Sequence, residues 1–514
     1  MIAVNKIIGL RAAEDGSGNA FGSYHLRFIF LGIQLAFCAV NYFNFLPVDV
    51  STRLLTIGIW ASISWGWLLF YEIRHNPPML IMPMIFYIFK SMVVSGWSNI
   101  HLMFLLKYDM APDFVGNIVA LKYLHAGAIF VMFEETLLLI GYYLIAWWLS
   151  LRDPRPWIIS GEIDDDKLSL MIKRFVGLVV FMMLISAALG NLRIGTLFEN
   201  LVRYGLLIAA MIIAAWFNYS PGHPQKRILA IIVLSLVQLG LVISGNSKQS
   251  LIIVLLPLAC YFIVRMRGRW RDLLHLRYLL FAVVIFAYVV MFSFPAISYR
   301  RSERSKYDIE VSSRDIIKYV IEANTPGTLA NEELWAIDGT GYGYVLSRNN
   351  LTIPAAFALQ DVDNSGYTGM RFFNEGLVAL IPRIFWPDKP LISMGAEMDS
   401  YLRTGIFYNT SGSSTCLGFA GNSYIQGGIW LMILTTVLLG CVLAVCFNYI
   451  CRMWYNPLAI MVYFSICVEC LRQFESFFDG GLSFVIEIVL LLLAAAIDPL
   501  LRKRIWHENE SGKL

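Results

Sequence analysis

The chain has 514 residues, of which 58% are hydrophobic and only 15% charged, with a formal net charge of +4. An ordinary soluble chain carries about 25% charge, so the composition excludes that class, and so small a net charge gives little support to a nucleic-acid partner. Repeated apolar runs of roughly 20 residues describe instead one polytopic membrane domain.

Hydropathy predicts an all-α chain of about twelve spans. They run Phe28–Leu46, Leu54–Ile73, Met79–Leu106, Lys122–Leu149, Phe175–Gly190, Leu201–Tyr219, Ile228–Ser244, Leu251–Val264, Tyr278–Pro295, Ile429–Tyr449, Pro457–Leu471 and Leu482–Leu501. The first run reads as a span that stays rather than a cleaved leader. Alternate connections are basic, including Arg152, Arg155, Lys167, Lys173 and Arg174, then Arg265 to Arg277, then Arg502, Lys503 and Arg504. The others carry little more than Arg53, Lys107, Arg193, Lys248 and Arg472. The positive-inside rule then puts both termini in the cytoplasm. The chain divides into spans over 1–296, a large outer loop with short amphipathic helices over 297–428, and spans with a cytoplasmic tail over 429–514.

Several local patterns read blandly. The acidic run Asp164–Asp166 has no glycine-rich phosphate cradle beside it, and the Gly339–Gly343 string lacks the strand and helix of a dinucleotide site. Cys467 and Cys470 have redox-motif spacing but need be only two small apolar side chains on a helix, and of eight cysteines only Cys416 lies in the long polar segment. Asp361 and Asp363 imitate a metal-binding pair of carboxylates. Within 297–428, Ser313 to Glu322 predicts an amphipathic helix with Ile316, Ile317, Val320 and Ile321 on one face, lying on the membrane or roofing the bundle. Glu375–Phe385 is a second apolar stretch, a surface or re-entrant helix.

Ionisable groups inside spans are expensive and mark functional places. Lys90 in the third span has Glu134 and Glu135 of the fourth as partners for an internal ion pair. Glu469, Arg472 and Glu475 recur at three-residue spacing on one face of the eleventh span. They line a cavity beneath the outer loop or pair among themselves, and Asp479-Gly-Gly following directly favours the cavity.

The stretch richest in chemistry is RFFNEGLVALIPRIFWPDKP, Arg371 to Pro390. Arg371, Glu375, Arg383, Asp388 and Lys389 alternate there with apolar anchors, and Pro382, Pro387 and Pro390 fix the backbone. A rigid basic segment rich in aromatics at a membrane surface suits a ligand with an anionic head and an apolar tail. Two more cationic places share its side of the bilayer: Lys248 in the turn SGNSKQS, and Arg300 and Arg301 at the exit of the ninth span. Arginine forks bind phosphate oxygens bidentately and keep their charge, so cations gathered there suit a pyrophosphate.

RIFWPDKP after an upstream Arg, the basic turn SGNSKQS, an Arg at the loop entrance and the glycine-rich GFAGNSYIQGG entering the next span together resemble the Wzy-type O-antigen and exopolysaccharide repeat-unit polymerases, relatives of the O-antigen ligases. The resemblance covers roughly Ser244 to Leu439. It implies a GT-C-like membrane fold in the bacterial inner membrane and metal-independent glycosyl transfer, without cofactor, at the periplasmic face. A growing glycan on undecaprenyl pyrophosphate would be the donor, a lipid-linked repeat unit the acceptor, and a chain-length regulator a further partner. By matching position Lys248, Arg300 or Arg301, and Arg371 or Arg383 would hold the pyrophosphate; Lys389 is expected to add to that charge, and Arg371 and Arg383 are placed with Glu375 in the catalytic centre. O-antigen ligases carry a histidine in the large outer loop. Here that loop has none, and His101 and His125 are the histidines nearest the outer rim, so the base is sought among Glu375, Asp388, Glu397 and Asp399. Glu375 is favoured, since it lies between two arginines in an apolar run that would raise its pKa. An O-antigen ligase is the alternative within this chemistry; a lipid-linked oligosaccharide flippase or transporter is the alternative outside it.

Overall fold

The computed structural model describes residues 19–43, 48–75, 78–110, 119–152, 313–335, 350–370 and 417–452, with short pieces at 287, 291–292, 294–296, 299, 386, 466, 470 and 489. Every element among the described residues is helical. Four helices are long and apolar enough to cross a membrane: Tyr24–Tyr42, Val50–Glu72, Leu121–Leu149 and Gly418–Asn448.

Helices α1 (Asn19–Tyr42) and α2 (Val50–His75) form an antiparallel pair. Contacts along its length fix the register. Arg27 meets Glu72 through Nε–Oε1 at 2.5 Å and Nη2–Oε2 at 3.1 Å. Gln34 donates to Ser64 at 2.6 Å and accepts from Trp60 at 2.7 Å, and Phe37 stacks on Trp60 at 4.7 Å. Asp49 caps α2 by accepting the Thr52 hydroxyl and N–H at 2.6 and 3.1 Å. The bond from the Thr52 side chain, aided by its backbone N–H, holds the Asp49 carboxyl below the usual carboxylate range.

The expected third span holds α3 (Pro78–Ser91), a π-helical segment Met92–Trp97, and α4 (Ser98–Lys107). It runs antiparallel to α2, with Met92, Gly96 and Ile100 against Gly66, Ser62 and Gly58. The wide turn is visible at Ser98, whose N–H and hydroxyl both reach the Val93 carbonyl. Helix α5 (Leu121–Arg152) is the most enclosed, with 78% of its apolar window buried against 22% for α1. Its Tyr143 hydroxyl donates to Glu72 at 2.9 Å, and the rings of Tyr24, Tyr71 and Tyr143 lie 5.0, 5.4 and 5.4 Å from the Arg27 guanidinium. A buried ion pair is tolerable in an apolar bundle only when its hydrogen bonds are filled this way. This marks one end of the bundle as the Arg27 end and the other, where α5 begins, as the Tyr123 end.

Helices α6 (Ser313–Ala323) and α7 (Leu329–Trp335) form a unit joined by a turn through Gly327, φ 81°. Ile316 and Val320 pack with Phe292, near the end of the expected ninth span, and with Ala296 and Tyr299 just beyond it. Tyr319 stacks on Tyr299 at 4.4 Å, and Asn324 donates to the Met291 carbonyl at 2.5 Å. The apolar face expected from the sequence is therefore shared. Ile316 and Val320 face protein, while Ile317 and Ile321 are 51% and 63% exposed. Burial, with Glu333 and Tyr299 nearby, pushes the Tyr319 phenol up from its ordinary range.

The most consequential elements are α8 (Thr352–Ser365) and α9 (Gly418–Arg452). Gly427 (φ −148°, ψ 17°) and Gly428 (φ 72°, ψ −165°) break α9. Thr435 Oγ1 lies 3.1 Å from Ser423 Oγ, twelve positions away. In one straight helix those residues would be about 18 Å apart. The chain therefore folds back on itself, and α9 is a hairpin of a short limb, 418–426, and a long limb, 429–452.

Contacts with α5 give the direction of the short limb, and the hairpin reverses it for the long one. The short limb runs antiparallel to α5, with Tyr424 edge-on to Phe130 and the Ala420 N–H on Glu134. The long limb runs parallel to α5 and touches it closely. Gly440 lies on the Leu138 carbonyl and Gly141 on the Val437 carbonyl, leaving no room for a Cβ at either position. Two parallel helices that both cross must be separated by an odd number of crossings. The expected spans between them number five, and nearly all of their residues lie outside the described ones.

Candidate functional site

Helix α8 also runs antiparallel to α5. Near its end Tyr123 donates to Asp363 at 2.8 Å and the Ala120 N–H to Gln360 at 2.8 Å; near its start Gly127 lies against Thr352 and Ala356. The short limb of α9 packs alongside it in the same direction, Gly418 by Leu351 and Gly421 by Ala355 and Ala358. Two half-helices thus begin side by side deep in the bundle and rise together towards the Tyr123 end.

Their starting points meet a band of buried polar groups. Asn350 Oδ1 accepts the Thr352 and Ile353 N–H groups at 2.9 and 3.3 Å, while its amide donates to the Ser98 carbonyl at 3.0 Å. The Thr352 hydroxyl donates to Asn99 at 2.7 Å. Glu134, buried near the middle of α5, accepts the Ala420 N–H at the start of the other half-helix. Its neighbour Glu135 accepts the Ser95 hydroxyl at 2.5 Å, from the π-helical segment. Helix starts carry orphan N–H groups and a positive dipole end, so carboxylate and amide oxygens are the partners they need. The π-helical turn widens the third span where Ser95, Ser98 and Asn99 reach this band.

The Tyr123 end has a different character. Beyond Ser365 the chain turns at Gly366 (φ 79°) and Gly369 (φ 67°), and Thr368 fastens it to α9: its N–H and hydroxyl reach the Ile425 carbonyl at 2.9 and 3.2 Å. Gly427 and Gly428 do not continue the short limb, which leaves this carbonyl available. Tyr367 lies edge-on to Tyr424 at 6.1 Å, and its hydroxyl is 2.9 Å from where a Cβ of residue 428 would be. Only glycine combines the positive φ with that contact. Asp361 and Asp363 do not converge as a metal-binding pair. Two residues apart on a helix they diverge, Asp363 towards Tyr123 and Asp361 with Oδ2 buried and unpartnered. Burial raises the Asp361 carboxyl above its usual range.

The residues expected to act on pyrophosphate, Lys248, Arg300, Arg301 and Lys389, lie outside the described residues, as do Arg371, Glu375 and Arg383. So do Glu469, Arg472 and Glu475 of the expected eleventh span, and the stretch Glu375–Phe385. Their flanks are described. Thr368 is bonded at the Tyr123 end, Trp386 is exposed, and Leu417 is buried, next to Gly418, which packs on Leu351. Lys90 is half-buried, Cys470 is fully buried, and His101 and His125 are buried. The polar band at the half-helix starts has a weak signature in sequence: Asn350 and Thr352 are common loop and cap residues. The glycine pair in GFAGNSYIQGG was the one available sign of the hairpin.

Comparison with curated proteins finds no match, and comparison with solved structures finds none. A family model described as a domain of unknown function, DUF8712, matches residues 164–468, more than half of the chain, and the chain belongs to that family.

Proposed function

We propose that the protein is a multi-pass inner-membrane glycosyltransferase that polymerises a bacterial surface polysaccharide. It transfers a growing glycan from undecaprenyl pyrophosphate to a lipid-linked repeat unit, at the Tyr123 end, which is then the periplasmic one. The observation that carries this reading is the anchoring of the chain on both sides of the cationic stretch Arg371–Pro390. Thr368 is fastened at the Tyr123 end and Leu417 is buried near the half-helix starts. Both anchors belong to the helical bundle, and the proposal has the lipid pyrophosphate reach the arginines of this stretch from the bilayer. Arg371, Arg383, Lys389, Lys248, Arg300 and Arg301 supply charge to the departing diphosphate, and Glu375 takes the acceptor hydroxyl proton.

The test is glycan analysis in cells. Arg300→Ala and Arg383→Ala lower chain extension by about a hundred- to a thousandfold, the range of a lost oxyanion donor, with the protein still in the membrane. A deletion strain accumulates single lipid-linked repeat units on the periplasmic side. Unchanged chain length in both variants refutes the reading.

A second reading has its own observation. Paired half-helices with starts deep in the bundle are a feature of secondary transporters, which hold anionic substrates at such places. A flippase of lipid-linked oligosaccharide would leave repeat units on the cytoplasmic side when deleted, and the same fractionation separates the two.

A further inference from the structure

Tyr367 is 58% exposed although its backbone is among the better-fastened loop segments described. Its hydroxyl rests over Gly428, its ring meets Tyr424 edge-on, and the remaining surface is open. Four residues earlier, Asp363 is exposed and uses Oδ2 to accept from Tyr123, leaving Oδ1 for a ligand. Tyr424 lies within electrostatic reach of both Tyr367 and Asp363, and Lys122 sits over the Tyr123 ring at 4.7 Å. An exposed tyrosine ring and an exposed carboxylate that both act on Tyr424 are a specific chemical offer. Axial C–H bonds of a pyranose are electropositive and settle on the negative face of a ring, while its hydroxyls donate to a carboxylate. A phosphate is disfavoured by Asp363, and a bare acyl chain would strip that carboxylate of water without replacing its donors.

We propose that Tyr367 and Asp363 form a monosaccharide-binding subsite, which stacks one pyranose ring of an oligosaccharide on Tyr367 and hydrogen-bonds its hydroxyls through Asp363. This deepens the polymerase reading and rests on it for the identity of the glycan. The sugar chain extends from the bundle end while its lipid pyrophosphate lies lower, in the bilayer. Gly428 has a part in this, because a side chain there would displace the ring.

The test uses the full-length protein in lipid nanodiscs. The probe is the oligosaccharide pool released by mild acid from the producing cells' own lipid-linked and surface glycans, and binding is read by saturation-transfer NMR and by competition titration. Wild type binds at least one oligosaccharide. Tyr367→Phe keeps affinity within about threefold, Tyr367→Ala loses at least about tenfold, and Asp363→Asn loses about tenfold. A cysteine pair at 423 and 435 that still crosslinks shows that the hairpin survives in each variant. No binding by wild type, or equal binding by Tyr367→Ala, overturns the subsite. The polymerase reading fails separately. If Arg383→Ala and the deletion leave chain length unchanged while Tyr367-dependent binding persists, the subsite stands and polymerisation falls. If Arg383→Ala stops extension while Tyr367→Ala binds as wild type, the reverse holds.

Discussion

Thr435 Oγ1 and Ser423 Oγ lie 3.1 Å apart, although twelve residues of helix separate them. That one distance turns what hydropathy presents as a single long span into a hairpin with a buried beginning. Ser423→Cys with Thr435→Cys, in a chain otherwise free of cysteine, therefore forms a disulfide under mild oxidation, since the two side chains have bridging reach. A continuous helix would hold the pair about 18 Å apart and give no crosslink. Mass spectrometry of the digested protein distinguishes the two.

The hairpin turn depends on Gly428, with φ 72° and the Tyr367 hydroxyl where a Cβ would go. Gly428→Ala should destabilise by about 1–3 kcal/mol from the positive-φ extended backbone alone, a conformation essentially restricted to glycine. Adding Tyr367→Ala relieves the steric part and recovers some of the loss. Thermal unfolding of the two variants in detergent gives the comparison; equal midpoints for both would exclude the contact.

At the opposite end, Arg27 is 3% exposed and Glu72 fully buried. Arg27→Ala leaves an uncompensated carboxylate inside the bundle and should cost about 3–5 kcal/mol, whereas Arg27→Met with Glu72→Leu should cost much less. Single and double variants measured side by side in the same detergent test this. A double variant as unstable as the single one would mean that the pair does more than satisfy itself.

Asp361 gives a pH dependence with a definite sign. Its folded-state carboxyl is raised above the ordinary range by burial, so the folded state holds the proton more tightly than the unfolded one. Stability from this group is complete below the ordinary carboxylate range and is lost as pH rises through the raised value. Asp361→Asn should remove that slope, so its advantage over wild type grows with pH between acid and neutral conditions. Asp49 acts in the opposite sense. Its carboxyl is lowered by the Thr52 bonds, and its contribution disappears as pH falls through the folded value. Melting curves of Asp361→Asn and Asp49→Asn across pH 3 to 7, a window about the ordinary carboxylate range, separate the two.

Much of the bundle was legible in the sequence because long apolar runs have few alternatives. Phe28–Leu46, Leu54–Ile73, Met79–Leu106 and Lys122–Leu149 overlap α1, α2, α3 with α4, and α5. The helix from Ser313 was legible from its periodicity, though which half of its apolar face met protein was not. The half-helices were hidden for a physical reason. Average hydropathy does not register a reversal at two glycines, and α8, with Gln360, Asp361 and Asp363 near its end, is too short and polar there to resemble a span. The cationic residues that carry the proposal were picked out by charge and position, and charge alone gives no depth. Tyr367 escaped notice because a lone tyrosine in a loop has no pattern to belong to.

The Ala420 N–H that satisfies Glu134 is supplied from hundreds of residues further along the chain. At about 5–20 residues per second, the ribosome takes on the order of tens of seconds to deliver it after α5 has left the insertion machinery. Throughout that interval a carboxyl group in the heart of the nascent protein lacks its final donor. The finished arrangement around Glu134 therefore waits on a late piece of the chain.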